Sequence, residues 1–171
     1  MRTKPLLIMT VLSITAVLAA CGDPEYSGKQ TVEDGTEVSY KVEGNTGKMK
    51  FESDDHGTTQ VAWGEAARIS KEFPKDVPVY PGLKVMAASE NSELGHFSLQ
   101  GGSEDAPDKV KAYYREKALA AGWTESGAQA VSQMQALSFR KEGRNMVVNI
   151  MPGYDGVGKT IVSVVSTSDK S

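Results

Sequence analysis

The sequence predicts an α+β fold: a short antiparallel β-meander followed by an antiparallel sheet with one long helix packed on a face. Three observations lead there. Apolar and polar residues alternate at period two over several short runs, as strands buried on one side do. One segment, 105–122, repeats its apolar residues at three- and four-residue spacing, as an amphipathic helix does. Between the first strands and the rest stands Phe73–Gly82 (FPKDVPVYPG), with three prolines in ten residues.

The chain of 171 residues carries 19 Lys+Arg against 22 Asp+Glu, a net charge of −3, with two His and one Cys. That length fits one domain or two small ones. A mildly acidic chain without a basic block makes a poor nucleic-acid binder, because phosphate neutralisation needs clustered cations. One cysteine excludes a disulfide framework and a Cys-rich zinc site. A hydrophobic content of 39% suffices for a packed core.

Met1-Arg2-Thr3-Lys4 is a cationic start, and Pro5–Ala20 (PLLIMTVLSITAVLAA) is an apolar run without charge. At 16 residues it is shorter than the ~20 a helix needs to span a bilayer. Its basic front and small-residue end read as a secretory signal that is removed. Removal takes Arg2 and Lys4 and no acid, so the mature chain becomes more acidic.

Leu18-Ala19-Ala20-Cys21-Gly22 closes the signal and resembles the lipobox of bacterial lipoproteins. The resemblance implies that Leu18, Ala19 and Ala20 are recognised by a dedicated signal peptidase. It implies further that the Cys21 thiol is joined to diacylglycerol before cleavage in front of it, and that the new amino group is then often acylated. A thiolate is the nucleophile such thioether formation requires. Two or three acyl chains, each contributing ~0.8 kcal/mol per buried methylene, hold a protein on a membrane. The competing reading is an ordinary signal with an incidental cysteine, yet the chain's one Cys falls on the one position the motif needs. In lipoproteins of two-membrane bacteria an Asp directly after the Cys retains the protein at the inner membrane. Gly22 stands there, which favours the outer membrane if the cell has one.

Asp23–Asp34 (DPEYSGKQTVED) reads as a polar tether. Val38, Tyr40 and Val42 then alternate with Glu37, Ser39, Lys41 and Glu43; Met49 and Phe51 with Lys48, Lys50 and Glu52; Val61 and Trp63 with Gln60 and Ala62. The joins, Gly44–Gly47 and Ser53–Gly57, carry turn chemistry. A meander from about 36 to 63 follows, and it cannot bury its apolar face alone. Ala66, Ile69 and Phe73 are candidates to begin the cover. The proline run, extended because each Pro disfavours helix before it, is the candidate boundary.

Beyond it, Val85–Ala88 and His96–Gln100 read as strands, with Phe97 and Leu99 inward. The helix takes Asp105 as its cap, Pro107 in its first turn and Asp108 as a favourable negative charge. Val110, Tyr113, Tyr114, Ala118 and Ala121 share one face. Gly122 ends the helix in the left-handed conformation and turns Trp123 back toward Ala118. Strands at about 124–131, 136–141, 146–151 and 160–166 complete the sheet. The predicted layout is a signal peptide (1–20), acylated Cys and tether (21–35), β-meander segment (36–72) and α+β domain (73–168).

"FPKDVPVYPGLKV", then "YYREKALAAGW", then short strands, is similar to a recurrent uncharacterised domain of bacterial envelope lipoproteins and secreted proteins. The similarity covers about 73–166. It supports the fold and implies no site.

Gly153-Tyr154-Asp155-Gly156-Val157-Gly158-Lys159-Thr160 satisfies the phosphate-loop pattern G-x-x-x-x-G-K-[ST]. A working loop follows a strand and opens a helix, whose N-terminal amides hold the phosphates. Here Thr160–Ser166 (TIVSVVS) is β-branched, so a glycine-rich hairpin is the simpler reading.

His56 beside Asp54 and Asp55 lacks the ligand ladder of a calcium loop. His96 has no nucleophile placed with it. Glu104, Asp105 and Asp108 sit where helix capping explains them. Trp63, Tyr113, Tyr114 and Trp123 have core spacing, with a ligand pocket as the alternative. Tyr80-Pro81-Gly82 and the 152–158 loop are the candidate recognition surface.

No catalytic residues, cofactor or metal ligands are expected. The sequence therefore predicts a lipid-anchored envelope lipoprotein with a small non-catalytic binding domain. It would be held to the membrane by Cys21, face the periplasm or cell exterior, and contact an envelope protein or wall component. The alternative is an envelope enzyme, a hydrolase or a nucleotide-dependent activity through 153–160 or His96.

Overall fold

The computed structural model describes residues 25–169. The signal segment, Leu18, Ala19, Ala20 and Cys21 lie outside the described residues.

Ten strands and one α-helix follow in the order β1 (Glu25–Thr31), β2 (Glu37–Glu43), β3 (Thr46–Ser53), β4 (Gly57–Trp63), β5 (Lys84–Asn91), β6 (His96–Ser103), α1 (Pro107–Ala120), β7 (Thr124–Val131), β8 (Met134–Lys141), β9 (Arg144–Pro152) and β10 (Thr160–Ser168). They form one antiparallel sheet ordered β1-β2-β3-β4-β5-β6-β10-β9-β8-β7.

This corrects the expected fold class. No separate meander precedes a second sheet, because β4 pairs directly with β5, Gln60 opposite Glu90 and Trp63 opposite Ala87. The proline run between them is a strap across a continuous sheet. The tether is also shorter than expected: Glu25–Thr31 pairs with Glu37–Glu43 as the edge strand. Gly35, at φ 86°, and the Asp34 carboxylate accepting from the Thr36 amide at 2.9 Å close that first hairpin.

Register partners in an antiparallel sheet project to the same side. One row crosses nine strands as Lys41, Lys48, Ala62, Ala88, Leu99, Val164, Val148, Leu137 and Ala128. The adjacent row, on the opposite side, reads Tyr40, Met49, Val61, Ser89, Ser98, Val165, Val147, Ser138 and Gly127. The polarity therefore inverts along the sheet. In β6 and β8–β10 the first row is core, with Leu99, Val164, Val148 and Leu137 at most 1% exposed. In β2 and β3 the same side carries lysines, and the apolar residues point the other way. Small residues (Ala62, Ala88, Ser89, Ser98) occupy the crossover.

Helix length explains the inversion. A 14-residue helix is ~21 Å long, whereas ten strands at ~4.8 Å spacing make a sheet roughly 43 Å across. One helix cannot cover it. α1 buries Val110, Tyr114 and Ala118 against Phe139, Met146, Val148 and Ile150. The Val, Ile, Met and Phe side chains of this contact each contribute about 1.5–3 kcal/mol of burial, and Ala118 less.

α1 begins without a side-chain cap: Ala106 holds that position, and Asp105 points elsewhere. Pro107 and Asp108 occupy the first turn as expected. At the far end Gly122 adopts φ 84°, its amide donates to Leu119 O at 3.0 Å, and the Trp123 amide donates to Ala118 O at 3.0 Å. That closure needs the left-handed backbone glycine tolerates. It drops the Trp123 indole, 2% exposed, into the core.

Candidate functional site

The segment leaving β4 decides where the site lies. A short 3-10 turn, Gly64–Ala66, is set over β3 by the Glu65 amide, which donates to Thr46 Oγ1 at 3.0 Å. The chain then runs through Ala67, 2% exposed, to Phe73, whose ring meets Phe97 edge-on at 6.0 Å. Phe97 projects to the helix side, so this strap lies on the same side as α1. The expected cover of the meander by Ala66, Ile69 and Phe73 is therefore corrected. The strap faces the charged side of β2–β4, and Ile69 is 42% exposed.

Between strap and sheet opens a cavity of about 500 Å³. Ala62, Ala88 and Phe97 supply apolar floor, Ala66, Arg68, Ser70 and Phe73 form the strap wall, and Lys41, Lys48, Lys50, Gln60 and Glu90 supply polar groups. Lys50 pairs with Glu52 at 2.8 Å, and Lys41 is flanked by Glu43 and Glu25. Lys48 and Arg68 have no carboxylate partner among the described residues. Arg68 donates to the carbonyls of Glu65 and Ala67, which fixes the guanidinium on the strap. Gln60 Nε2 donates to Glu90 Oε1 at 3.4 Å, and Glu90 Oε2 is buried without a hydrogen-bond partner among the described residues. A buried carboxylate oxygen without a donor costs free energy, which makes this position receptive to a donating group.

Sequence reasoning missed this site. Lys48 and Lys50 were legible as the polar side of a strand, but only the β4–β5 pairing brings Glu90 to Gln60. Only the path of the strap brings Arg68 above them.

The residues singled out from sequence lie elsewhere. Tyr80 is not an exposed recognition residue: it is 5% exposed, its hydroxyl donates to Asp105 Oδ2 at 2.7 Å, and its amide donates to Tyr114 Oη at 3.2 Å. Burial, followed by the Asp105 carboxylate, pushes its phenol up to about 12. Burial likewise raises Tyr114. Tyr113 donates to Val79 O at 2.9 Å and meets Tyr80 edge-on at 4.9 Å. These tyrosines knit the proline strap to α1 rather than line the cavity. Asp105, with Lys109 at 2.7 Å, receives Tyr80 instead of capping the helix.

The 153–160 loop joins two antiparallel strands. Thr160 pairs with Pro152, and the Gly153 amide donates to Lys159 O at 2.8 Å. No helix follows, and Thr160, fully buried, donates its hydroxyl to Asp105 O at 2.6 Å. The hydroxyl a phosphate loop would use is thus occupied. Tyr154, 62% exposed, remains at the loop tip. His56 and His96 are both exposed and lie outside the cavity. Among the described residues no cluster of three or more His, Cys, Asp or Glu could hold a metal.

Residues 83–169, spanning β5 to β10 and α1, match the START domain-like family. The chain belongs to that family. The START domain-like part holds the helix, most of the core and one wall of the cavity, whereas β1–β4 and the strap, which supply the remaining walls and the core residues Val77 and Tyr80, precede the matched region. No curated protein and no solved structure matches the chain.

Proposed function

We propose that this protein is a lipid-anchored lipoprotein of the bacterial cell envelope whose START domain-like body is a non-catalytic binding module. The anchor reading rests on Leu18-Ala19-Ala20-Cys21 behind a signal segment, with Gly22 favouring the outer membrane where the cell has one. The binding reading rests on the family and on the cavity. A concave, largely apolar site with a few convergent polar groups is the usual form of a small-molecule site. The ligand is an amphipathic small molecule bearing an anionic group. The observation that carries this is the pair of cations, Lys48 and Arg68, which have no ion-pair partner among the described residues and lie beside an apolar floor. Contact with an envelope protein or wall component is a further part of this role.

The test titrates the mature chain with the fluorescent anionic probe anilinonaphthalene sulfonate. The expected result is saturable 1:1 binding, weakened about tenfold in the Lys48→Gln/Arg68→Gln double variant, the equivalent of ~1.4 kcal/mol. Thermal unfolding of that variant should be unchanged. Absent binding, or binding indifferent to the variant, overturns the site. For the anchor, acyl labelling retained in Cys21→Ser would overturn the assignment.

A further inference from the structure

The side of β1–β4 turned away from the strap has a composition its position does not explain. Every Lys and Glu of these four strands projects to the strap side, and the strands' own residues on the opposite side are uncharged; the Glu93 carboxylate, from the turn after β5, stands against Gly57 at the end away from Trp63. Tyr26, Val42, Gly47 and Trp63 form one row of it, and Tyr40 and Met49 stand in the next. Gly47 lets the Trp63 ring lie flat on the sheet: a Cβ there would fall inside the indole. Gly28 does the same for the Tyr40 ring. The result is a broad apolar surface with aromatic hydroxyl and indole groups along it. Tyr26 is 50% exposed, and the side chains of Val42, Trp63, Tyr40 and Met49 are partly buried. Among the described residues no helix and no second sheet packs across this side: α1 packs on β7 and β9, and the 3-10 turn on β3 and β5.

Chain geometry identifies the occupant. Cys21 is four residues before Glu25, and four residues reach at most ~14 Å. An acyl anchor at Cys21 therefore brings the edge strand β1 to the membrane surface. Glu25 lies at the end of the sheet where the Tyr26–Val42–Gly47–Trp63 row runs, so that row is nearest the lipid. Tyrosine and tryptophan favour the bilayer interface, where the ring body meets acyl chain and the polar tip meets water. Charged groups are disfavoured there, and the Lys and Glu of β1–β4 are all on the far side.

The geometry points to a second membrane contact: the uncharged side of β1–β4 docks on the bilayer that holds the Cys21 acyl chains, with Trp63 and Tyr26 at the interface. This rests on the lipoprotein reading. It makes the anchor a two-part device, covalent lipid plus apolar sheet face, and turns the strap and its cavity away from the membrane.

The two tryptophans supply the test. The mature chain is coupled at Cys21 to a maleimide lipid and reconstituted in phosphatidylcholine–phosphatidylglycerol vesicles with or without brominated acyl chains, which quench an indole on contact. The expected result is loss of the Trp63 emission on brominated vesicles, absent in Trp63→Phe and reduced in Tyr26→Ser, an exposed position where folding is not at stake. Trp123, buried under α1, serves as the unquenched reference. Equal emission on both vesicle types overturns the proposal, as does equal loss in wild type and Trp63→Phe. A stable dimer of the uncoupled chain that Tyr26→Ser dissolves also overturns it, since a second copy would then occupy the face. Intact mass of the native protein reports separately on Cys21 acylation. An unmodified Cys21 would sink the lipoprotein reading while the coupled sample still decides whether this face meets lipid.

Discussion

Arg144 grips Asp76 with both terminal nitrogens while its guanidinium lies 5.0 Å from the centre of the Trp123 ring. Asp76 belongs to the proline strap, Arg144 opens β9, and Trp123 follows α1, so three elements are tied at one point. Lys141 Nζ adds a bond to Asp76 Oδ2 at 2.8 Å, and the Trp123 indole donates to Asp76 O at 2.8 Å. Replacing Asp76 by Asn leaves two cations with a neutral partner and is expected to destabilise the fold by about 2 kcal/mol. Urea unfolding checks this, and a loss under half a kcal/mol would deny the clamp its role.

The same clamp sets the acid limb of stability. Hydrogen bonds from Arg144, then from Lys141, outweigh the cost of burial and hold the Asp76 carboxyl well below its ordinary range. A lowered folded-state value means the stabilisation is full above the unfolded value of 3.8 and drains as pH falls below it. The gap in unfolding midpoint between wild type and Asp76→Asn should therefore narrow between about pH 6 and about pH 2.5. A constant gap contradicts the linkage.

Tyr80 sets an alkaline limb of opposite sign. Its phenol is raised to about 12, by burial first and Asp105 second. The protonated form is favoured in the folded state, so its contribution is full below the unfolded value of 10 and is lost as pH rises through 12. Ultraviolet titration should show two phenols ionising late, and Tyr80→Phe should remove one of them and leave that of Tyr114.

Gly47→Ala tests the flat seating of Trp63. The added methyl collides with the indole, and the expected cost is about 1–3 kcal/mol, the range for overpacking. A shift in Trp63 emission should accompany it, since the ring must lift. Unchanged emission would mean the backbone, not the ring, had moved.

At the 153–160 hairpin, Thr160→Val removes the hydroxyl bonded to Asp105 O and is expected to cost about 1–2 kcal/mol. Lys159→Ala, at an exposed residue, should leave both stability and nucleotide response unchanged. A nucleotide-dependent thermal shift in wild type, lost in Lys159→Ala, would revive phosphate binding.

Local chemistry made much of the chain legible. Period-two alternation marked the strands from Glu37 to Trp63, and helix spacing with Pro107 and Gly122 bounded α1 within a residue or two. The β-branched run after Thr160 marked a strand where a phosphate loop needs a helix. Asp105 misled, because a carboxylate before a helix satisfies the capping pattern while a tyrosine 25 residues upstream competes for it. Glu25–Thr31 misled because an edge strand exposed on both faces carries no alternation to read.

What the sequence alone determined is the strands from Glu37 onward, the helix, most of the turns and the segment that proposes an anchor, each set within a few residues. What only the tertiary structure decided is which side each strand shows to its neighbour. Alternation reports that a strand has an apolar side but not which way that side faces. The pairing of β4 with β5 settled it, placing the lysines of β2 and β3 in line with the leucine of β6. The cavity, the presence of Arg68 and Glu90 on its walls and the uncharged side of β1–β4 all follow from that one long-range register.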